Sequence, residues 1–308
     1  MDLLLSHNLT NGSGSGSCTK EDFVDVRMYP TFYSICFIIG FPANCLSFYV
    51  ALALARKGNN LAVYLVNLSV SDLLYTITLP VWIQLALRYP VGDTLCSLIA
   101  VVMNNSFYMG TSFLCCICVD RYLAVVFPLY YPWAHTVRTA NGVSALVWCA
   151  ELALHAVLLH HTGALRSFSE SRLCEEKMPM RPAVSRVALV RVALGFLVPL
   201  LLMTFCFLRI FLALQRSTFT QESERRKVQS LLFLLLLTYV TAFAPFQTVM
   251  LLRGLWEPNA CGFALRVRDA YMVSVATTTI NSVVDPILYC LLSEAAKAEM
   301  NLILQGCR

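Results

Sequence analysis

Charged residues are scarce in this chain, and their scarcity excludes most soluble proteins. Only 13% of the 308 residues are Asp, Glu, Lys or Arg, against about 25% in ordinary soluble domains. Hydrophobic residues make up 58% of the chain, and its mean hydropathy is +0.66. A soluble protein of this composition would expose large apolar patches to water, whereas a bilayer accommodates them. The sequence therefore predicts an integral membrane protein.

Three other absences narrow the function. The net charge is only +5 and the basic residues form no long patch, so we expect no nucleic-acid partner. The sequence shows no paired nucleophile and base and no metal-ligand spacing, so we predict neither an enzyme nor a bound cofactor or metal. Intramembrane acids can also mark ion pathways, but transporters usually show repeated halves and this chain shows no repeat.

Seven apolar segments are long enough, or nearly so, to cross a bilayer, which takes about 20 residues. Four of these segments contain no charged residue, and the other three contain one acid each, namely Asp72, Glu151 and Asp285. Prolines within them are compatible with membrane helices, because neighbouring helices and ordered waters satisfy the freed backbone groups. The segments are residues 28–55, 61–87, 95–119, 141–159, 192–208, 231–252 and 270–292.

These segments predict an all-α membrane protein with three parts. Residues 28–292 form a seven-transmembrane-helix bundle, with residues 1–27 as an N-terminal tail. Residues 293–308 form a short amphipathic C-terminal helix and tail, which we place in the cytoplasm. Membrane lipids then surround the bundle, since its outer faces must be apolar.

The N-terminal tail is predicted to lie outside the cell, in a multi-pass protein of the plasma membrane. Lys and Arg are divided almost evenly between the two sides, so the positive-inside rule does not decide. Asn8 and Asn11, however, each begin a glycosylation tripeptide in the tail. Four cysteines would also share the N-terminal side, as expected for disulfides in an oxidising compartment. They are Cys18, Cys96, Cys174 and Cys261, with Cys96–Cys174 and Cys18–Cys261 plausible among the three possible connectivities.

Short motifs recur on the seven segments in a fixed order. The third segment starts near Cys96 and ends in Asp120-Arg121-Tyr122. This set of motifs resembles the rhodopsin-like (class A) G-protein-coupled receptors over nearly the whole chain. The other motifs are Asn44, Leu68-Ser-Val-Ser-Asp72-Leu, Trp148, Pro199, Phe243-Ala-Pro245 and Asp285-Pro286-Ile-Leu-Tyr289.

The resemblance implies a cell-surface receptor whose partner is a heterotrimeric G protein. It assigns coupling to Asp120, Arg121 and Tyr122, at a membrane edge where charges are tolerated. We expect Arg121 to pair with Asp120 while the helices are closed and to turn toward a partner helix on opening, although a snorkelling arginine is the simpler alternative. The residues of the conformational switch are then Phe243, Pro245, Pro286 and Tyr289.

Glu151 is the residue that best separates this chain from other class A receptors. It follows Trp148 by three residues, one turn inside the fourth segment. The stretch Trp148-Cys-Ala-Glu151-Leu resembles the proton-sensing subgroup of class A, as do Arg191 before Gly195-Phe-Leu-Val-Pro199 and Cys261-Gly-Phe. The resemblance implies activation by extracellular protons, and a Cys18–Cys261 disulfide would suit that subgroup.

Buried acids give this expectation a chemical basis. Burial disfavours the charged form of a carboxyl group, and a neighbouring carboxylate disfavours it further, so such groups can take up protons near neutral pH. We expect Asp72, Glu151 and Asp285 to be held together in a dry interior, and low pH to favour the packing that crowds them. In class A receptors the cluster around Asp72 often holds sodium, but Gly110 replaces a hydroxyl that usually helps bind it.

The histidines support proton sensing less uniformly than the acids. His155, His160 and His161 cluster at the outer end of the fourth segment, where protonation would add to the response. Ordinary surface or interfacial histidine is the alternative, to which we give equal weight. Gln247 and Met272 stand where members of the subgroup often carry histidine.

A receptor for a lysolipid or another small anionic amphiphile is the alternative function. A ring of guanidinium groups at the outer end of the bundle could hold a phosphate or carboxylate head group. Nearby acids, including Glu257 and Asp269, could instead balance this positive charge. The predicted outer-rim arginines are Arg88, Arg191, Arg253, Arg266 and Arg268.

Overall fold

The structure is a computed structural model that describes residues 27–128, 136–162, 178–216, 222–292 and 296–301. These residues are almost entirely helical, with no strand among them. The helices are α1 Tyr29–Arg56, α2 Asn60–Ala86, α3 Asp93–Val126, α4 Val137–Thr162, α5 Pro182–Arg216, α6 Glu222–Trp256 and α7 Cys261–Leu292. Residues 296–301 form a further short helical segment after α7.

Helices α1 to α6 are long and apolar enough to cross a membrane, judged by length and composition. Helix α7, at 32 residues, is also long enough, but its first turns carry Arg266, Arg268 and Asp269. The prediction of an all-α membrane protein built as a seven-transmembrane-helix bundle with a short C-terminal helix is confirmed.

The bundle buries polar groups and exposes apolar ones, as expected for a protein solvated by lipid. Ile38 and Leu146 are 69% and 68% exposed on the outer faces of α1 and α4. Asn44 and Asp72, in contrast, are buried in the interior. An apolar exterior around a polar interior is favourable only where the surroundings are hydrocarbon.

A tight turn sets α2 antiparallel to α1. Gly58, with φ +90°, adopts a left-handed conformation that other residues rarely reach. The Asn59 side chain then caps α2 by accepting a hydrogen bond from the Ala62 amide at 3.3 Å. This turn lets α1 and α2 pack along their length, which places Asn44 of α1 beside the polar interior.

Helix α5 contains an irregularity that the sequence did not predict. Residues Ala193–Leu197 form a π-helical turn within it. Gly195 lies in this turn, and a Cβ atom there would stand 2.5 Å from the ring of Tyr108 on α3. Only glycine therefore permits this approach of α5 to α3. Such π-helical turns are frequent at functional sites.

Candidate functional site

Two carboxyl groups meet in the middle of the bundle. Asp72 on α2 and Asp285 on α7 are both buried, and they lie close enough to interact electrostatically. The Asn281 amide donates a hydrogen bond to Asp285 Oδ2 at 2.6 Å. These two acids, predicted from the sequence to lie together, therefore form a carboxyl pair.

The surroundings of the carboxyl pair contain more acceptors than donors. The Asn44 amide already donates to the carbonyl oxygens of Ser282, at 2.7 Å, and Gly40, at 3.0 Å. Among the described residues, no donor reaches four buried oxygens, which are Asn44 Oδ1, Asp72 Oδ2, Asn281 Oδ1 and Asp285 Oδ1. Buried acceptors are unfavourable when unpaired. A protonated carboxyl group is a donor. One added proton, shared between two of these oxygens in a hydrogen bond, would therefore give both of them a partner.

The expected cluster of three acids is wrong, because Glu151 lies apart from the carboxyl pair. The Ser112 hydroxyl on α3 donates to Glu151 Oε1 at 2.7 Å. Gly110, two residues earlier on α3, faces the carboxyl pair instead, since its Cβ would lie 4.0 Å from Asp72 Oδ1. At 3.6 residues per turn, positions 110 and 112 point about 200° apart. Glu151 and the carboxyl pair therefore contact opposite faces of α3.

His155 is the histidine whose side chain the structure describes at the end of α4. It is buried, and its Nε2 atom has no hydrogen-bond partner among the described residues. It interacts electrostatically with Arg191 on α5. His155 is therefore an interior residue rather than a surface histidine. The side chains of His160 and His161 lie outside the described residues.

Near the C-terminal end of α3, Arg121 is held in an ion pair. Its guanidinium donates to Asp120 Oδ2 at 2.6 Å and 3.2 Å. The Asn60 amide at the start of α2 donates to Asp120 Oδ1 at 2.8 Å. Tyr122 packs its ring edge-on against Phe127, with 5.7 Å between centroids. This pairing is the arrangement expected for closed helices.

The predicted switch residues lie on α6 and α7. Phe243 on α6 contacts Phe107 on α3 edge-on, with ring centroids 4.6 Å apart, and Pro245 lies two residues further along α6. Pro286 interrupts α7 directly after Asp285. A cavity of about 30 Å³ is bordered by Asp285 and Tyr289 at α7 and by Arg121 at α3. Asp285 of the carboxyl pair and the coupling arginine thus border one internal space.

The prediction that the outer-rim arginines form an anion-binding ring is wrong for Arg253. Arg253 is 1% exposed and forms an ion pair with Glu257, which is 0% exposed. The second hydrogen bond of this pair measures 3.0 Å, and the Arg253 guanidinium lies 4.0 Å from the centroid of the Tyr271 ring. Glu257 also accepts a hydrogen bond from the Met180 amide at 2.9 Å. A guanidinium buried and paired in this way is not available to a head group.

The other outer-rim arginines differ in their surroundings. Arg268 lies 3.6 Å from Asp269, and Arg191 lies 5.5 Å from the ring centroid of Tyr108 in the interior. Arg266 is exposed and Arg88 is half-buried. Five side chains so differently placed do not form one anion-binding ring.

The structure describes two of the four cysteines predicted to form disulfides and neither of the predicted glycosylation sites. Cys96 and Cys261 are disulfide-bonded. Cys18 and Cys174, together with Asn8 and Asn11, lie outside the described residues. The pairing of the four cysteines therefore stays a prediction.

Several residues of the site were missed from the sequence. Glu257 could have been found, because it follows Arg253 by four residues, the spacing of a helical ion pair. Ser112 and Tyr108 gave no such signal. Their contacts with Glu151 and Gly195 cross between helices and depend on how each helix is rotated.

Comparison with known proteins agrees with this architecture. The profile of the family described as 7 transmembrane receptor (rhodopsin family) matches residues 43–289. The chain is 34% identical over 303 residues to G-protein coupled receptor 68 of Bos taurus, covering 97% of this chain and 84% of that receptor. It is 33% identical over 308 residues to human G-protein coupled receptor 65, covering 95% and 91%.

More distant matches include lysophosphatidic acid receptor 6 of Gallus gallus, 28% identical over 292 residues, or 91% of this chain and 94% of that receptor. The matched family consists of receptors, so the chain is not an enzyme. The resemblance to class A receptors and to their proton-sensing subgroup is confirmed. The chain is thus a multi-pass plasma-membrane protein that couples to heterotrimeric G proteins. The chain therefore belongs to the rhodopsin family of seven-transmembrane receptors.

Proposed function

We propose that the protein is a G-protein-coupled receptor activated by extracellular protons, and that the Asp72–Asp285 carboxyl pair is a principal proton-binding site. Residues 1–27 form an extracellular tail, residues 28–292 the bundle, and residues 293–308 a cytoplasmic helix and tail. The similarity to G-protein coupled receptors 68 and 65, which exceeds that to lysophosphatidic acid receptor 6, favours this function.

The carboxyl pair, with its surplus of buried acceptors, is the observation that carries the proposal. Two ionised carboxylates buried side by side repel each other, and this repulsion is stronger in a protein interior than in water. A proton removes this repulsion and also supplies the missing donor. A packing that holds Asp72 against Asp285 therefore binds a proton more tightly than one in which α2 and α7 have parted. By linkage, acidification favours the packing that crowds the two acids most, so activation by protons requires the open state to hold them closer together than the closed arrangement described above.

The signal reaches the G protein through Arg121 in this mechanism. Asp285 and Tyr289 border the same cavity as Arg121, so a repacking of α7 around the protonated pair changes the wall of that cavity. Packed interiors respond to small shifts by switching between discrete arrangements. Release of Arg121 from Asp120 is the output that we assign to this switch.

The lysolipid alternative has less support. It required several free guanidinium groups at one end of the bundle, but Arg253 is paired with Glu257 and Arg268 lies beside Asp269. A lysophosphatidic acid response at about pH 8, where histidines are neutral, would nevertheless favour it over proton sensing.

A pH titration of G-protein activation tests the proposal. Cells that express the chain are moved from about pH 8 to about pH 6, a range that spans the ordinary histidine value, and heterotrimer dissociation is followed with a panel of G-protein sensors. We expect activation to rise on acidification in these cells and not in untransfected cells. Repeating the titration with sodium replaced by choline separates proton binding from competition with sodium. A flat response with confirmed surface expression would reject the proposal.

A further inference from the structure

A groove between α6 and α7 opens on the outside of the bundle. Its volume is about 580 Å³, within the range of about 300–1,000 Å³ that small-molecule sites occupy. On α7 its lining residues run from Asp269 to Thr277, and on α6 they include Pro245 and Thr248. At about 1.5 Å per residue, the α7 side of the groove is about 12 Å long. This α6–α7 groove is therefore large enough to hold a small apolar molecule.

The α6–α7 groove faces the hydrocarbon of the bilayer. Val273 within it is exposed, as are Leu251 on α6 and Ile280 on α7. Apolar side chains that are exposed on the outside of a membrane bundle contact lipid tails, because no water reaches them there. A molecule that fills this groove is therefore a component of the membrane and not a solute.

One hydroxyl group in the groove differs from the others. The Ser274 hydroxyl donates to the Tyr271 carbonyl at 2.7 Å, and the Thr277 hydroxyl donates to the Ala242 carbonyl on α6 at 2.9 Å. Thr248 also lines the groove and is exposed, but within the described ranges its hydroxyl has no hydrogen-bond partner. Hydrocarbon supplies no partner either. The Thr248 hydroxyl therefore favours a ligand with a polar group of its own.

Asp269 is the second polar group that a ligand in the groove would meet. Its side chain is 41% exposed, and its Oδ1 atom lies 3.6 Å from the Arg268 guanidinium, which offsets its charge. A carboxylate has several acceptor positions, so it can accept a further hydrogen bond from a ligand. Asp269 would repel an anionic ligand, and Arg268 would repel a cationic one. The two residues together favour a neutral ligand that donates a hydrogen bond.

We propose that the α6–α7 groove binds a membrane sterol, whose hydroxyl group lies at Asp269 and Thr248 and whose ring system lies along the groove toward Pro245. A sterol carries one neutral hydroxyl, which both donates and accepts, on a rigid apolar body. The acyl chain of a phospholipid offers no donor to Asp269, and it loses rotational freedom when it is held in a groove. Binding of a sterol does not depend on activation by protons.

A sterol in this groove would join two helices that the receptor itself joins only locally. The bond from Thr277 to Ala242 connects α7 to α6 three residues before Pro245. The sterol contacts both helices between that bond and Asp269, so it stabilises the arrangement in which the groove exists. A ligand that binds only the folded state raises its stability. Added sterol should therefore raise the Tm of the purified receptor.

Binding of tritiated cholesterol to the full-length receptor in detergent micelles tests the proposal. Ala270→Phe places a large side chain in the groove, so saturable binding should be lost. Ala145→Phe makes the same change at an exposed alanine of α4, and binding should match wild type. A photoreactive cholesterol analogue should label peptides that contain residues 245–249 and 269–277, and unlabelled cholesterol should prevent this labelling.

Two milder variants test the polar contacts without filling the groove. Thr248→Val keeps the shape of the side chain and should raise the Kd for cholesterol by about two- to tenfold, the effect of one neutral hydrogen bond. Thr241→Val is the matched control on α6, because the Thr241 hydroxyl bonds only to carbonyl oxygens of its own helix, at 2.9 Å and 3.1 Å. Asp269→Ala should raise the Kd by about tenfold or more, since its hydrogen bond is charge-assisted.

The 3α epimer of cholesterol separates the hydroxyl contact from simple greasiness. It has the same apolar body with the hydroxyl turned aside, so wild type should bind it more weakly than cholesterol, and Asp269→Ala should bind the two alike. The proposal is overturned if wild type shows no saturable binding, if Ala270→Phe binds like wild type, if wild type binds both epimers equally, or if phosphatidylcholine competes as well as cholesterol. None of these measurements involves a G protein or a change of pH, so a failure of proton sensing leaves their outcome unaffected.

Discussion

Neutralising Glu257 should destabilise the receptor strongly, because it leaves Arg253 charged and buried. The two side chains are 0% and 1% exposed, so water cannot take over the role of the missing partner. Breaking a buried ion pair by removing one partner costs about 3–5 kcal/mol. Glu257→Gln retains an oxygen for the Met180 amide, which limits the loss to the charge interaction with Arg253.

The expected effect can be converted into a melting temperature. A change of 1 kcal/mol shifts Tm by about 2–4 °C for chains of 150–250 residues and by less for longer ones, so Glu257→Gln should lower the Tm of this 308-residue chain by several degrees. The assay is thermal unfolding of detergent-purified receptor, followed with a dye that reacts with newly exposed thiols. Cys118 and Cys206 are free and buried, and they report unfolding when they become accessible.

Two further variants make this prediction specific. Arg253→Met combined with Glu257→Leu replaces the ion pair by apolar side chains and should recover most of the lost stability, because such replacements are often neutral. Lys57→Met removes an ion pair with Glu299 in which Lys57 is 58% exposed, and surface pairs contribute only about 0–1 kcal/mol. A Tm for Glu257→Gln within about 2 °C of wild type, or a double variant no more stable than the single one, would refute the reasoning.

The remaining predictions concern signalling and topology. Asp285→Asn removes the neighbouring negative charge, so Asp72 holds its proton less tightly and the activation midpoint should move to lower pH by about one unit or more; an unchanged midpoint in the pH titration would show that the pair is not coupled. Arg121→Ala should abolish G-protein activation at normal surface levels, and full retained signalling would contradict its coupling role. Asn8→Gln with Asn11→Gln should remove a glycosidase-sensitive gel shift, and a wild-type chain lacking that shift would contradict an extracellular glycosylated tail.

The helices could be predicted from the sequence because length and hydropathy are local properties. Residues 28–55 were predicted as the first span, and α1 is Tyr29–Arg56. Burial of Asp72 and Asp285 also followed, since isolated acids within apolar segments face the bundle interior. The boundaries of α5 were predicted less well: the sequence predicted residues 192–208, whereas the helix extends over Pro182–Arg216. Arg186 and Arg191 suggested a later start, but both residues lie within the helix.

The contacts of Glu151 and Arg253 could not be predicted, for a different physical reason. An acid in a membrane helix must avoid lipid, yet that requirement leaves open which neighbouring helix it faces. The rotation of α3 decides this, and it is set by packing over the whole bundle rather than by residues near Glu151. The sequence leaves open whether Arg253 points to the outer solvent or to Glu257. In the structure both side chains are buried, and they form an ion pair.

Helix α3 connects the features on which the proposed function depends. One of its faces approaches the carboxyl pair at Gly110, another holds Glu151 through Ser112, and its inner end carries Arg121. Protonation of the carboxyl pair therefore changes the forces on a single rigid element. Because Arg121 is covalently part of that element, the carboxyl pair can bias the Asp120–Arg121 pair without touching it.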